Sequence, residues 1–409
     1  MSGDAWPAIA PGIAQQAPTL ALLRRDLHAH PELGFEEERT AQIVAARLAQ
    51  WGIPLHRGLA RTGVVGIVHG RDGGACGRAL GLRADMDALP VQEQNSFAHT
   101  SQHAGKMHAC GHDGHTAMLL AAAQELARTR AFDGTVYLIF QPAEEGRGGA
   151  TAMLQEGLFV RFPMEAVFGM HNWPGLAQGS FAASAGPVMA SANTFKIVIR
   201  GRGAHAALPH LGVDPVPVAC QTVLALQTVV SRYLKPTEAA VLSVTMVHAG
   251  EATNVIAESC TIEGTVRSFS LQALDIIEPR LRAIATHTAA ALGATAEVEF
   301  LRRAPALINS SHEAQFAAKV MRGIVGPEQV LVQEPSMPSE DFAFMLQAKP
   351  GAYVFIGNGQ GAHRHSGHGM GPCMLHNPSY DFNDSLIPLG ATYWVELAQQ
   401  WLAAAPPPR

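Results

Sequence analysis

The chain has 409 residues, of which 47% are hydrophobic and only 15% are charged, a composition that excludes a mainly disordered protein. Because one hydrophobic core seldom organises more than ~250–300 residues, this length predicts two domains. The net charge of −5, without runs of like charge, offers no basic surface for a phosphate backbone, so we expect no nucleic-acid partner.

The N-terminal sequence and the cysteines bear on where the protein works. Met1–Leu23 contains Asp4 and no basic residue, so it lacks the charged start and apolar centre of a secretory signal. Apolar stretches such as Thr135–Phe140 are far shorter than the ~20 residues that cross a bilayer. Five scattered cysteines without CxxC spacing predict reduced thiols. Together these features favour a cytoplasmic protein without membrane contacts.

The first part of the chain alternates helical patterns with short apolar runs. Residues 18–50 have helical spacing on either side of a Pro-Glu-Leu-Gly turn, and Thr116–Leu126 has it again. This alternation predicts an α/β fold with a mostly parallel sheet that helices cover on both faces. The strand-sized runs are Val64–Val68, Ala79–Leu82, Val136–Phe140 and Ala166–Met170.

Carboxylate and imidazole side chains follow three of these predicted strands at the point where each ends. Functional groups of parallel α/β sheets collect beyond the carboxyl ends of the strands, so we expect a site at this edge. The residues are Asp85 and Asp87 after the second run, Glu144 and Glu145 after the third, and His171 after the fourth.

From about residue 188 the pattern changes to the order βαββαβ, which is that of a ferredoxin-like domain. We place this inserted domain at 188–302. The first pattern resumes afterwards, so residues 1–187 and 303–409 are expected to form one discontinuous domain. The elements of the insert are Thr194–Arg200, Pro217–Tyr233, Val241–His248, Cys260–Phe269, Leu271–Leu292 and Ala296–Phe300.

The segment His108–His115 is the densest group of potential metal ligands, with a thiol, imidazoles and a carboxylate directly before a predicted helix. The helix dipole would favour the thiolate of Cys110, the form that binds metal. For this segment alone, a turn whose histidines cap the helix is an equal alternative. The Gly/His-rich loop Gly357–Met370 resembles a metal tract in composition, but its glycines favour a lid or solvated loop and we assign it no ligand.

Other residues extend the candidate metal site. Adjacent carboxylates such as Glu144 and Glu145 suit a site where a metal neutralises one and the other handles a proton, although an exposed acidic turn is the commoner arrangement. His171 and His376 are each, alone, more typical of hydrogen-bonded core histidines. Together with Cys110 these residues form a mixed S, N and O set suited to a borderline divalent ion.

Six motifs together resemble the hippurate hydrolase/auxin-amide hydrolase family, a subfamily of metallopeptidase family M20. Its members are metal-dependent N-acyl-amino-acid amidohydrolases, and the match runs in order from about residue 20 to 390. The resemblance implies a zinc-aminopeptidase-like catalytic domain with a mixed, mostly parallel sheet. The motifs are Arg25–Glu37, Leu82–Pro90, His108–His115, Gln141–Glu145, Gly169–Asn172 and Leu375–Pro378.

The resemblance also implies a site with two divalent ions per subunit, zinc or manganese first and cobalt or nickel as alternatives. Glu144 would be the base and Glu145 a metal ligand. This distinction between the two carboxylates rests on the resemblance alone. Broader relatives carry a ligand histidine where this chain has Arg83, which leaves Asp85 as an orienting residue. The implied ligands are Cys110, which would bridge both ions, with His112, Glu145, His171 and His376.

In relatives the inserted domain forms a dimer, so we expect a homodimer or a higher homo-oligomer. The motif Gly201–Pro215 implies that His205 reaches the partner's active site and stabilises the developing oxyanion. Asn254 and Arg267 resemble substrate-contacting positions, and a guanidinium matches the carboxylate of an amino acid with two hydrogen bonds.

The expected reaction is hydrolysis of the amide bond of an N-acyl amino acid, hippurate-like or with another aromatic or aliphatic acyl group. A dipeptidase or an N-acetyl-diaminopimelate deacetylase would share these motifs and stays an alternative. A zinc dehydrogenase would need a GxGxxG turn, which the sequence lacks. A catalytically silent binding protein of the same fold is the non-enzyme alternative.

Overall fold

The computed structural model describes residues 9–405. Residues 1–8, part of the segment Met1–Leu23 that lacks the pattern of a secretory signal, lie outside the described residues, as do 406–409. The described chain forms two compact units, the first from residues up to 188, 308–334 and 344 onwards, the second from 189–307 and 335–343. Among residues 9–405, no helix is both long and apolar enough to cross a membrane.

Helices and strands alternate through most of the chain. The α-helices are α1 Pro11–Ala29, α2 Glu38–Gln50, α3 His112–Thr129, α4 Gly149–Gln155, α5 Leu158–Arg161, α6 Pro215–Leu226, α7 Thr228–Tyr233, α8 Leu271–Ala291, α9 Ser311–Val325, α10 Phe342–Ala348 and α11 Leu386–Ala403. The strands are β1 Leu55–Leu59, β2 Gly63–His69, β3 Ala79–Asp85, β4 Thr135–Gln141, β5 Ala166–Pro174, β6 Phe181–Ala182, β7 Gly186–Met189, β8 Ala192–Arg200, β9 Ala204–His205, β10 Ala240–Ala249, β11 Val255–Ile256, β12 Ser259–Ser268, β13 Thr295–Ala304, β14 Leu307–Asn309, β15 Val330–Leu331 and β16 Gly351–Gly359.

The first unit is built on an eight-stranded sheet with the order β1-β2-β4-β3-β5-β16-β6-β15. Its centre, β4-β3-β5-β16, is parallel, whereas β1, β2 and β6 pair antiparallel with their neighbours β2, β4 and β16. The residues of β3 and β16 are all buried, as expected for strands covered on both faces. The predicted mixed α/β fold with a mostly parallel sheet is confirmed.

Helix α3 is the central helix of this unit and packs against α1 and α11. Its residues from His112 to Ala123 are all buried, and those from Ala117 onward are all apolar. Trp394 and Trp401 of α11 are buried in the same core. The N-terminal helix α1 begins at Pro11, seven residues before the predicted start, because Pro fits the first turn of a helix.

The second unit contains a four-stranded antiparallel sheet with the order β10-β12-β8-β13. Burial alternates along β8 and β12, so one face of this sheet packs on the helices α6 and α8. With the chain order βαββαβ this is the predicted ferredoxin-like arrangement. The predicted single helix Pro217–Tyr233 is wrong in its bounds, since Asp214 caps a helix that starts at Pro215 and Gln227 separates it from α7.

Candidate metal centre

The parallel strands β3, β4 and β5 end at the same edge of the large sheet, and the ligand-type side chains gather there. Their ligand atoms form groups in which all atoms lie within 4.8 Å of one another. The structure thus brings together all five predicted ligands and the predicted base. The overlapping groups are Cys110 with His112 and His171, Cys110 with Glu145 and His376, and His112 with Glu144 and Glu145.

His112 is the first residue of α3 and follows Gly111, whose φ of 89° turns the chain. Its Nδ1 lies 3.1 Å from Asp87 Oδ1, and its Nε2 is buried without a hydrogen-bond partner. An imidazole that donates from Nδ1 presents its lone pair at Nε2, as a metal ligand does. Burial opposes the charged form, yet Asp85 and Asp87 raise the pKa of His112 to about 10, so a cation would have to displace a proton there.

His171 lies on β5, and both ring nitrogens have close neighbours. Nδ1 donates to the carbonyl oxygen of Asn172 at 2.6 Å, and Nε2 lies 3.3 Å from the sulfur of Cys110. Burial, with a contribution from the nearby His115 imidazole, lowers the pKa of His171 well below its usual range. The ring is therefore neutral, and its Nε2 lone pair faces Cys110.

Cys110 departs from the expectation that the helix dipole favours its thiolate. Burial, and then the carboxylates of Glu145 and Glu144, raise the pKa of the Cys110 thiol well above its usual range. A thiolate at this position therefore needs a cation beside it, because a buried anion next to two carboxylates is otherwise unfavourable.

His376 comes from the far end of the chain, and a backbone hydrogen bond holds it beside the group. Its φ of 63° is left-handed, and its N–H donates to the carbonyl oxygen of Ala109 at 2.8 Å. The exposed His376 ring reaches Glu145, with 3.3 Å between Nε2 and Oε1. The pair Glu144 and Glu145 is half-buried, so the alternative of an exposed acidic turn is wrong.

The donor atoms of the group fit a divalent cation. Nε2 of His112 and Oε1 of Glu145 are buried atoms that make no hydrogen bond among residues 9–405, although Oε1 lies at ion-pair distance, 3.3 Å, from Nε2 of His376. A buried polar atom without a partner is costly, and a metal ion would satisfy both of these. The thiol of Cys110 and the lone pair of His171 complete the mixed S, N and O set that zinc and similar ions accept.

Asp85, which the sequence leaves as an orienting residue, lies closer to His115 and Arg83 than to the predicted ligand His112. Its Oδ1 lies 2.6 Å from Nδ1 of His115 and its Oδ2 accepts from Arg83 at 2.7 Å, whereas His112 Nε2 is 3.8 Å away. Burial opposes ionisation, but His112 and Arg83 hold the pKa of Asp85 well below its usual range. Asp85 is thus an ionised group beneath the site.

Asp87 follows a predicted strand, but the sequence alone suggested no role for it. Its Oδ1 holds His112, and its Oδ2 accepts from the backbone N–H of Glu145 at 2.9 Å. It therefore positions two of the predicted ligands at once. Asp85 ends β3 and Asp87 follows it, so the two aspartates had the same sequence signal, and only their contacts in the folded chain distinguish them.

The remaining predicted residues lie in the second unit. His205 is exposed on β9, which pairs with β11 directly after Asn254. The carbonyl oxygen of Asn254 accepts from the backbone N–H of Ala206 at 3.0 Å, so His205 and Asn254 are neighbours. Arg267 is half-buried on β12, and its Nη1 is a buried nitrogen without a hydrogen-bond partner among the described residues.

The buried His28, part of the motif Arg25–Glu37, should make the free energy of unfolding depend on pH. Its Nδ1 lies 2.8 Å from Asp113 Oδ2 and its Nε2 lies 3.3 Å from Glu93 Oε1. Burial opposes the charged ring, but these two carboxylates raise the pKa of His28 to about 9. In the unfolded chain the pKa of histidine is about 6.5. The stabilisation is therefore complete below pH ~6.5 and is lost as the pH rises through about 9.

We expect the free energy of unfolding to fall by ~2–3 kcal/mol between pH 7 and pH 10.5 from this residue. Urea unfolding of the wild type and of His28→Gln at both pH values measures it, because the neutral amide cannot lose the proton. The pH-dependent fall should be smaller in His28→Gln by about this amount. Equal falls in the two proteins would contradict the assignment of a charged His28.

Comparisons with known proteins identify the family of this chain. The family model described as "Peptidase family M20/M25/M40" matches residues 81–400. A hippurate hydrolase of Campylobacter jejuni is 38% identical over 381 residues, 93% of this chain and 96% of the relative. An IAA-amino acid hydrolase of Arabidopsis thaliana, ILR1-like 4, is 38% identical over 93% of this chain and 85% of its own length.

A solved structure gives the same result. The YxeP protein of Bacillus subtilis, described as a dinuclear metal-binding peptidase from the M20 family, superposes with a TM-score of 0.81 at 34% identity. The match covers 95% of this chain and 99% of that protein. The resemblance inferred from the six motifs is confirmed, and the chain belongs to peptidase family M20/M25/M40.

Proposed function

We propose that this protein is a metal-dependent amidohydrolase that cleaves N-acyl amino acids into a carboxylic acid and a free amino acid. The observation that carries the proposal is the convergence of Cys110, His112, Glu145, His171 and His376 around buried atoms without partners, with Glu144 beside them. The names of the relatives, a hippurate hydrolase and an IAA-amino acid hydrolase, support this substrate class.

Two divalent ions fit the arrangement of the donors. Cys110 belongs both to the group with His112 and His171 and to the group with Glu145 and His376, as a bridging thiolate would. Zinc or manganese is our first choice, with cobalt or nickel as alternatives, because this ligand set accepts all four. When bound, such ions lower the pKa of a water molecule toward neutrality and polarise the carbonyl of the substrate.

Glu144 is the proposed base that takes a proton from the attacking water and delivers it to the nitrogen of the leaving amine. The backbone on both sides of it is fixed. The N–H of Ala143 donates to buried Glu37 at 2.8 Å, and the N–H of Glu145 donates to Asp87 at 2.9 Å. These bonds hold the turn so that the Glu144 carboxylate stays within reach of His112 and Glu145.

In the second unit we propose that His205 stabilises the oxyanion. The N–H of Ala207 donates to Nδ1 of His205 at 3.1 Å, which places the ring proton on Nε2 as a free donor. Arg267 would bind the carboxylate of the amino acid, since its buried Nη1 lacks a partner and burial lowers its pKa. Asn254, the neighbour of His205, would also contact the substrate. We further propose that residues 188–302 act as a dimerisation domain, so that His205 serves the partner's site.

A hydrolysis screen of metal-depleted and metal-reconstituted protein tests the proposal. Protein stripped by a chelator should lose activity and regain it with Zn²⁺, Mn²⁺, Co²⁺ or Ni²⁺ alone. N-benzoyl, N-acetyl and indole-acyl amino acids should be cleaved faster than dipeptides or N-acetyl-diaminopimelate. Preference for either of the latter two would favour the alternative enzymes, and a protein without metal that added metal does not activate would be a silent binding protein.

A further inference from the structure

The buried Asn172, directly after His171 on β5, has every polar atom of its side chain engaged beneath the candidate metal centre. Its Nδ2 donates to the carbonyl oxygen of Cys110 at 2.8 Å and lies 3.0 Å from Nε2 of His115. Its Oδ1 accepts from the hydroxyl of Tyr380 at 2.7 Å. Asn172 and Tyr380 have no role in the proposed chemistry, and both are completely buried.

The backbone defines which way the Asn172 amide points. The N–H of Asn172 donates to Nε2 of His115 at 2.9 Å, so this nitrogen is an acceptor and the proton of the ring is on Nδ1, facing Asp85. With two acceptors before it, the carbonyl of Cys110 and Nε2 of His115, the Asn172 side chain must present its NH₂ group. Oδ1 then faces Tyr380, whose hydroxyl is the donor that stabilises this orientation.

The same tautomer removes His115 from the set of potential metal ligands. Asp85, His112 and His115 have ligand atoms close enough to hold an ion. However, Nε2 of His115 accepts from Asn172 and Nδ1 donates to Asp85, so neither nitrogen has a lone pair to offer. His115 therefore acts as a fixed acceptor under the site.

Gly111 lies between the two predicted ligands Cys110 and His112. The side chains of Asn172 and Tyr380 pack directly against its backbone. A Cβ at Gly111 would lie 2.5 Å from the Tyr380 hydroxyl and nearer still to Nδ2 of Asn172. The amide and the hydroxyl thus occupy the space that a side chain would take, and they press on the backbone that sets the direction of the Cys110 sulfur. That sulfur lies 3.3 Å from Nε2 of His171, the residue before Asn172.

We propose that Asn172 and Tyr380 are positioning residues that hold the turn of Cys110 so that its sulfur and His171 face one metal ion. Asn172 acts on Cys110 through the carbonyl oxygen, and Tyr380 acts through Asn172 by selecting the orientation of its amide. The inference rests on the proposed function, because it assigns these residues to the metal centre of that reaction.

Tyr380→Phe tests the proposal, with Tyr393→Phe as the matched control. Tyr393 is equally buried in the same unit, but its hydroxyl has no hydrogen-bond partner among residues 9–405. We expect Tyr380→Phe to weaken the binding of Zn²⁺ alone by ~10–100-fold in chelator competition, the range for residues that orient metal ligands. Tyr393→Phe should bind Zn²⁺ like the wild type.

Co²⁺ reports on the sulfur directly, through the near-ultraviolet charge-transfer absorption of a cobalt thiolate. Tyr380→Phe should shift or weaken this band, whereas Tyr393→Phe should not. Wild-type Zn²⁺ affinity and an unchanged band in folded Tyr380→Phe would overturn the inference. Asn172→Ser, which removes the donor to Cys110, provides the same two readouts if Tyr380→Phe does not fold, and wild-type values there would overturn it as well.

These readouts separate the inference from the proposed function. If the wild type binds metal through Cys110 but hydrolyses no amide, the proposed function fails while the positioning role can still be measured. If the wild type hydrolyses N-acyl amino acids and Tyr380→Phe has unchanged metal binding, only the positioning role fails. A merely structural role would lower the unfolding midpoint of the metal-free protein and leave the Zn²⁺ affinity unchanged, which also counts against the inference.

Discussion

Glu144→Gln should nearly abolish turnover while leaving the fold and the bound metal in place. A positioned general base contributes ~10²–10⁴-fold to the rate, and glutamine keeps the size of the side chain but cannot take a proton. The turn around residue 144 should persist, because it is held through the backbone N–H groups of Ala143 and Glu145. The rate constant kcat, the metal content and the circular dichroism spectrum of the variant measure these three effects.

Glu145→Gln is the informative control because the two carboxylates are adjacent and equally half-buried. Glu145, not Glu144, lies with Cys110 and His376 in one group of ligand atoms. We therefore expect Glu145→Gln to lose metal and, through that loss, activity, and excess metal should restore part of it. Excess metal should not restore Glu144→Gln. Activity like that of the wild type in Glu144→Gln, or metal loss in that variant alone, would reverse the two assignments.

The central part of the site was predictable because it depends on local rules. His171 lies on a parallel strand, and Glu145 lies in the turn after another one. The carboxyl ends of parallel strands meet at one edge of a sheet. The alternation of apolar runs with helical segments indicates those strands without tertiary information. The order βαββαβ of the insert followed from the same kind of local pattern.

The rest of the site depends on long-range packing that sequence spacing does not contain. His376 reaches the ligands because its backbone is left-handed and bonds to Ala109, 267 residues earlier in the chain. Asp85 and Asp87 lie at the end of the same strand, and only the folded turn shows that Asp87 holds His112. A thiolate was expected at Cys110 because the dipole of a helix is visible in sequence, whereas burial beside two carboxylates, which raises the pKa of the thiol, is not.

Arg24→Met should be the most destabilising substitution outside the metal centre, by about 3–5 kcal/mol, the usual effect of breaking a buried ion pair. Arg24 is completely buried, and its Nε lies 3.4 Å from Asp113 Oδ2 and 3.1 Å from Asp384 Oδ1. Its Nη2 donates to Asp381 and to the carbonyl oxygen of Phe382, the latter at 2.6 Å. Removing the guanidinium takes the arginine partner away from the buried Asp113 and Asp381 and from the half-buried Asp384.

The neighbouring Arg25 provides the matched control. It pairs with the other oxygen of Asp384 at 2.7 Å, but its side chain is 48% exposed. A surface pair of this kind contributes about 0–1 kcal/mol, so Arg25→Met should change the free energy of unfolding by no more than that. Urea unfolding at pH 7 compares the two variants, and equal effects would contradict the importance that we assign to burial.

The pH dependence gives Arg24→Met a second signature. Burial opposes ionisation of Asp381 and Asp113. Several favourable interactions nevertheless hold the pKa of each carboxyl well below its usual range, and the interaction with Arg24 is the largest of them. Such groups stabilise the fold above the unfolded pKa of ~4 and lose that contribution as the pH falls. Without Arg24 both pKa values rise, so acid should weaken the variant less than the wild type. Replacing Asp381 by asparagine in Arg24→Met should recover part of the lost stability, because it removes one of the buried charges that lose the Arg24 guanidinium as a partner.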